Sequence, residues 1–240
     1  MFNQFGPIIV TLYNEFQQAI GFSVDDWQAC PWPGRETIEG QYCQLEVLDT
    51  TRHGADLYRE FGAASDAADW TYLPYGPFTN SDAFVTWLHG LSEGADPLFY
   101  AIVDKASGKA VGMASYLRID PANGAIEVGH IHFSRRLQKT PLATEAMYLM
   151  MKQIFDLGYR RYEWKCDAYN APSCKAAKRL GFTYEGLFRQ AVVYKNRNRD
   201  TAWFAIVNED WPAMQKRFEA WLEASNFDVK GAQIRRLEDC

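Results

Sequence analysis

QKTPLATEA at 138–146 and NAPSCKAAKRLGF at 170–182 decide the fold, because each stretch is a loop opening onto a helix. Thr140 followed by Pro141 reads as an N-cap with proline at the first helical position, where its missing N–H costs nothing. From there Ala143, Met147, Met150, Ile154 and Leu157 recur at helical spacing up to Gly158, predicting one helix over 141–157. The unpaired N–H groups at its start and the positive end of its dipole suit an anion such as a pyrophosphate. Arg135, Arg136 and Lys139 add positive charge just upstream.

Between the two stretches lies RRYEWKCD, in which Tyr162, Trp164 and Cys166 alternate with Arg161, Glu163, Lys165 and Asp167, the pattern of a strand with one buried face. Asn170 or Ser173 can cap the helix that follows, Pro172 fits its first turn, and Gly181-Phe182 ends it with a glycine stop and an apolar contact. The predicted order is strand, anion-binding helix, strand, short helix, strand.

With these residues, that order resembles the GNAT superfamily of N-acetyltransferases, and within it the ribosomal-protein N-terminal (RimJ/RimL-like) branch, over about residues 41–211. The superfamily loop reads Gln/Arg-x-x-Gly-x-Gly/Ala. Gln138, Leu142 and Ala143 match it, while Pro141 replaces the central glycine and deletes one amide donor. The branch's second signature matches at Asn170, Ser173, Leu180, Gly181 and Phe182. The resemblance implies an α/β fold with a mostly antiparallel mixed sheet, one splayed strand pair and helices on both faces. It also implies acetyl-coenzyme A (acetyl-CoA) as cosubstrate, its binding weakened but not abolished by Pro141, with the amides of Lys139, Thr140, Leu142 and Ala143 and the Thr140 hydroxyl as remaining donors.

Composition fits this expectation. A chain of 240 residues, 48% hydrophobic and 15% aromatic, can bury one sizeable mixed core and is not disordered. No run approaches the roughly 18 apolar residues of a membrane span, and MFNQFGPIIV lacks the basic segment of a secretory signal, so a cytoplasmic protein is expected. Cys30, Cys43, Cys166, Cys174 and Cys240 are scattered without CxxC spacing, which points to reduced thiols and no metal. A net charge of −5 argues against nucleic acid as partner. The partner expected is an amine acceptor, with the protein a monomer or homodimer.

Along the chain, residues 1–40 read as an irregular arm with one short helix at TLYNEFQQAI, residues 41–211 as the acetyltransferase domain, and 212–240 as a C-terminal helix and tail. QYCQLEVLD at 41–49 reads as the first strand, RHGADLYREFGAA as a helix, and SDAFVTWLHGLSE as a second helix with a serine cap. PLFYAIVD, AVGMASYLRI and AIEVGHIHF read as middle strands joined at KASGK and PANG, and VVYKNRNRDTAWFAIVNEDW as a last hairpin. PAMQKRFEAWLEASN is an amphipathic helix, and the final dozen residues read as a tail.

Acetyl transfer to an amine needs a neutral amine, a polarised carbonyl and a proton for the leaving thiolate. The resemblance places the backbone amide of Ile131 against the thioester oxygen, with His132 and Phe133 lining the pantetheine. It also assigns Glu127 as general base, the alternative being an ion-paired strand residue. An N-terminal amine, with a pKa of roughly 7.7–8.0, asks less of that base than a lysine near 10.4. The superfamily's acidic tyrosine is replaced by Ala177, leaving the Ser173 hydroxyl as acid or simply as a helix-start residue bonding its own backbone. Asn170 is expected to hold the pantetheine amide. Acceptor contact falls to DWTYLPYGPF, through Trp70, Tyr72 and Tyr75 with Phe78 beside them, while Tyr194 and Arg199 are weaker candidates. Two other readings compete: acylation of an amino acid, polyamine or drug-like amine, and a degenerate CoA-binding module, for which Pro141 and Ala177 speak.

Overall fold

The computed structural model describes residues 11–63 and 67–240. A small hairpin of β1 (Leu12–Tyr13) and β2 (Ala19–Ile20) precedes the main sheet. The sheet's strands are β3 (Ile38–Glu39), β4 (Cys43–Val47), β5 (Leu98–Asp104), β6 (Lys109–Asp120), β7 (Ala125–Phe133), β8 (Arg161–Asp167), β9 (Thr183–Tyr194) and β10 (Arg197–Val207). Their spatial order is β3-β4-β5-β6-β7-β8-β10-β9. Every neighbouring pair is antiparallel except β7 and β8, which run parallel.

A parallel pair needs a crossover, and α3 (Pro141–Asp156) supplies it. With α5 (Trp211–Leu222) it covers one face of the sheet, where Met147, Met150, Ile154 and Phe218 pack with Tyr100, Ile102, Ala114, Tyr116 and Val128. On the other face α1 (Thr50–Leu57) and α2 (Ser81–Ser92) bring Leu57, Phe84 and Leu88 against Phe99, Ala101, Val103 and Met113. Alternation along β5 thus feeds two cores. Between β8 and β9 lies α4 (Ala171–Arg179).

Several local expectations are corrected. TLYNEFQQAI is a hairpin, not a helix: the Asn14 carboxamide oxygen takes the N–H groups of Phe16 and Gln18, and that local bonding outcompetes a helical ladder. The first helix changes to a π-helical turn at Tyr58–Ala63, and the last residue of the predicted span, Ala64, lies outside the described residues. The cap of α2 is Asn80, which accepts from Ala83 N–H. The last hairpin begins earlier, at Thr183.

The chain after α5 is folded as well. The buried Asn226 donates to the carbonyls of Trp221 and Arg235 and accepts from Arg235 N–H, Phe227 bridges Gln233, and Leu237 is buried. At the other end, Trp27 Nε1 donates to Ala122 O at 2.8 Å and Tyr159 donates to Pro31 O at 3.1 Å, holding residues 27–31 against the domain.

Candidate active site

β7 and β8 are paired only from Ala125–Arg161 to Val128–Trp164. Beyond that point they part. A bulge contributes, since Met113 pairs with His132 and Ser115 with Gly129, leaving two residues of β7 opposite Ala114. His130, within the bulge, has φ +51°. The edges of Gly129–Phe133 and Lys165–Asp167 that face each other therefore have no ladder partner there, and buried backbone groups require one. A cavity of about 1270 Å3 fills the opening and runs from the 68–74 loop past the start of α3 to the C-terminal segment.

At the start of α3, Thr140 caps the helix by accepting from Ala143 N–H at 3.2 Å, and its hydroxyl donates to Leu137 O at 2.6 Å. The Ala143 amide and the Thr140 hydroxyl, both expected as anion donors, are therefore already engaged. Lys139 lines the cavity in a left-handed conformation, φ +62°. Gln138 also lines it and donates through Nε2 to Phe133 O at 2.9 Å, tying the loop to the end of β7. The Leu142 side chain packs on the core instead.

At α4, Asn170 is the cap, accepting from Ser173 N–H at 3.1 Å, and the Ser173 hydroxyl accepts from Trp164 Nε1 at 3.0 Å. Asn170 and Ser173 both line the cavity. Ala177 is fully buried in the core, so no side chain stands in for the missing tyrosine at that position.

The polar face of β8 is covered rather than solvated. Glu127 is 3% exposed and pairs with Arg118 at 2.6 Å and Lys165 at 2.9 Å, while Lys165 also pairs with Glu163 at 2.7 Å. Burial raises the Glu127 pKa above the usual carboxylate range, although both cations oppose it. Lys165 sits over the Trp203 ring, 3.8 Å from its centroid. Sequence reasoning missed Arg118, Lys165 and Trp203 as neighbours of Glu127, since cross-strand register carries that information and no local pattern does.

Ile131, His132 and Phe133 line the cavity. His132 stacks on Phe61 with ring centroids 3.8 Å apart and meets Trp70 edge-on, and burial lowers its pKa to about 4. Of the loop aromatics, Tyr72 lines the cavity and donates to Tyr169 O at 3.0 Å. Trp70 is 1% exposed and packs among Tyr75, Phe78 and Trp87. Tyr75 sits 2.9 Å from His130 Nδ1. Trp70, Tyr75 and Phe78 thus brace the loop and do not line the cavity, because their large apolar rings bury more area in the α1–α2 core. Arg199 lines the cavity; Tyr194 turns to Asp167, donating at 2.8 Å.

Residues 47–183 match the acetyltransferase (GNAT) domain. The chain belongs to the GNAT acetyltransferase family. This acetyltransferase is 44% identical to a GCN5-related N-acetyltransferase from Brucella melitensis, whose crystal structure superposes with a TM-score of 0.88 over 90% of this chain and 98% of that one. Two Bacillus relatives, the uncharacterized N-acetyltransferases p20 of Bacillus licheniformis and YnaD of Bacillus subtilis, are 28% and 27% identical, each over 61% of this chain and over 84% and 85% of their own lengths. The acetyltransferase is an acyltransferase of a family that uses acetyl-CoA, and the unpaired strand edges beside a helix N-terminus fit a donor carrying amides and a pyrophosphate. Among the described residues no cluster of His, Cys, Asp or Glu could hold a metal ion, and no helix is long and apolar enough to cross a membrane.

Proposed function

We propose that the protein transfers acetyl from acetyl-CoA to a primary amine, on a protein N-terminus or a small molecule, by direct attack in a ternary complex. The observation that carries this reading is the parting of β7 and β8, which opens one continuous cavity onto both Glu127 and Ser173. The backbone edges of Gly129–Phe133 and Lys165–Asp167 would receive the pantetheine amides, with Phe133 and His132 as apolar wall. The amides of Lys139, Thr140 and Leu142 are the donors we assign to the pyrophosphate, at the positive end of α3. Gln138 and Asn170 shape this channel through the loop and cap bonds they already make.

In this reading Glu127 takes the ammonium proton of the acceptor, directly or through water. Its raised pKa makes it a better base than an ordinary carboxylate, and Arg118 and Lys165 fix its orientation. The Ile131 amide, on the bulge, stabilises developing oxyanion charge. Ser173, whose oxygen accepts from Trp164 and whose hydroxyl faces Cys166, would turn its hydroxyl to hydrogen-bond the departing thiolate, which takes up through solvent the proton that the amine has lost.

Tyr72 is the acceptor contact we retain, with Trp70 and Tyr75 holding its loop. Around the acceptor end, Arg118, Lys165 and Arg199 balance Asp69, Glu127 and Asp167. That balance disfavours a polycationic acceptor such as a polyamine. The signature at Asn170, Ser173 and Leu180–Phe182 supports placing the chain in the RimJ/RimL-like branch, with a cytoplasmic setting.

Calorimetry with acetyl-CoA, followed by thiol-release assays on N-terminal peptides and small amines, tests the proposal. Micromolar binding with turnover on one acceptor class supports it. Absence of acetyl-CoA binding by the folded protein would overturn it.

A further inference from the structure

From Glu127 the cavity extends along the outer strands to Arg199, which makes no ion pair among the described residues. The other two cations of this end are spent: Arg118 and Lys165 both pair with Glu127, and Lys165 also with Glu163. Arg199, half-buried on β10, donates through Nε to Oγ1 of the buried Thr201 at 3.1 Å, and its guanidinium carbon lies 6.0 Å from the Tyr194 ring centroid. The acidic side chains of its neighbourhood are engaged elsewhere. Asp167 takes the Tyr169 N–H and the Tyr194 hydroxyl, and Asp200 takes the Gln190 N–H and the Asn198 carboxamide. Both terminal nitrogens of Arg199 are left to donate side by side, the arrangement that matches a carboxylate.

Register sets the spacing. Lys165, bonded to Glu127, lies opposite Trp203, and Arg199 stands four residues farther along β10. At about 3.3 Å per residue the strand covers roughly 13 Å between them. Along that stretch Phe188, paired with Thr201, stacks on Trp203 with ring centroids 4.3 Å apart and is still 52% exposed. The lining therefore runs from a carboxylate, over an apolar shelf, to a free guanidinium. Two hydrogen bonds join this end to the 68–74 loop: Lys195 Nζ donates to Trp70 O at 2.6 Å and the Tyr72 hydroxyl to Tyr169 O at 3.0 Å. These ties narrow the acceptor end and favour a slim molecule over a folded surface.

We propose that Arg199 is the carboxylate anchor of the acceptor site, and that the acceptor is a small molecule with a primary amine at one end, an apolar middle and a carboxylate at the other. The inference rests on the acetyl-transfer reading above and deepens it by naming the acceptor class. The amine goes to Glu127, the middle lies along Trp203 and Phe188, and the carboxylate completes the ion pair that Arg199 lacks. A free α-amino acid, with one carbon between amine and carboxylate, is too short to reach both ends. A di- or tripeptide, or an ω-amino acid of comparable length, reaches them. Thr201 holds the guanidinium before the acceptor arrives, which reduces the ordering cost of binding.

The test is thiol release from acetyl-CoA by the full chain with ε-aminocaproate, glycylphenylalanine and glycylglycylphenylalanine, each compared with its carboxyl amide, for wild type, Arg199→Gln and Arg199→Lys. Wild type should use at least one of the acids with a kcat/KM about tenfold or more above that of its amide. Arg199→Gln should use that acid and its amide alike, the loss on the acid falling on its KM and not on kcat, and Arg199→Lys should recover part of the preference. Should Arg199→Gln fail to fold, a preference reduced in Arg199→Lys carries the comparison. Equal use of acid and amide by wild type, turnover of none of the acids by a protein that binds acetyl-CoA, or a preference intact in a folded Arg199→Gln overturns this anchor alone. Absence of acetyl-CoA binding would overturn the acetyl-transfer reading as well.

Discussion

The Trp164 indole N–H donates to the Ser173 hydroxyl at 3.0 Å, fastening β8 to the first turn of α4. The bond fixes where the serine proton can point. Replacing Ser173 by alanine should lower kcat about 10²-fold with little change in the acetyl-CoA KM, measured by thiol release. Trp164→Phe should give a smaller loss, because the hydroxyl survives without its anchor. Unchanged turnover in Ser173→Ala would reduce the serine to a structural member of the helix start.

Glu127 must be ionised to accept a proton, and burial holds its pKa above the ordinary carboxylate range. kcat/KM should therefore rise with pH through that raised value before the acceptor's own ionisation takes over. Glu127→Gln should cost about 10²- to 10³-fold and remove this acid limb. Lys165→Met takes away a cation that lowers the Glu127 pKa, so it should move the limb to higher pH. A Glu127→Gln profile superposable on wild type would eliminate the carboxylate as base.

The buried Glu145 carboxylate accepts backbone N–H groups from Gln41, Tyr42 and Cys43 at 2.7, 2.7 and 2.8 Å, joining α3 to the start of β4. Glu145→Ala would leave these donors without their acceptor. Denaturant unfolding should show a loss of about 2–4 kcal/mol. A loss below about 0.5 kcal/mol would mean that water replaces the carboxylate.

His130 and His132 are held neutral by burial, their pKa values lowered from 6.5 to about 4. The unfolded chain takes up these two protons first as pH falls, so their stability contribution is intact above pH 6.5 and is lost between 6.5 and about 4. Each histidine should cost on the order of 1 kcal/mol per pH unit across that window. Thermal unfolding at pH 7.5 and 5.0 should show the drop, and His132→Asn should reduce it.

Much of this was legible in the chain. Thr140-Pro141 and Gly158 mark α3 because capping and proline act within a few residues, and the alternation in Arg161–Asp167 marks β8 for the same local reason. Glu127, Ser173 and Asn170 came from motif spacing and do meet in one cavity. Partners separated along the sequence were not legible: Arg118 and Lys165 reach Glu127 only through strand register. Trp70 reads like Tyr72 in sequence, yet it is drawn into the α1–α2 core by packing that no local pattern records. The tail after Trp221 looks polar in sequence, yet the buried Asn226 and Leu237 fold it onto the domain.

The four-residue parallel contact between β7 and β8 also divides the sheet into two antiparallel blocks, β3 to β7 and β8 to β10. Each block is assembled from neighbouring strands, whereas the seam closes only after α3 has crossed over. In hydrogen exchange the amides at this seam should therefore open at lower free energy than those inside either block. The gap proposed for the donor lies beside this short join, so a ligand bridging both edges would act as a mechanical staple and raise the protection of both blocks together.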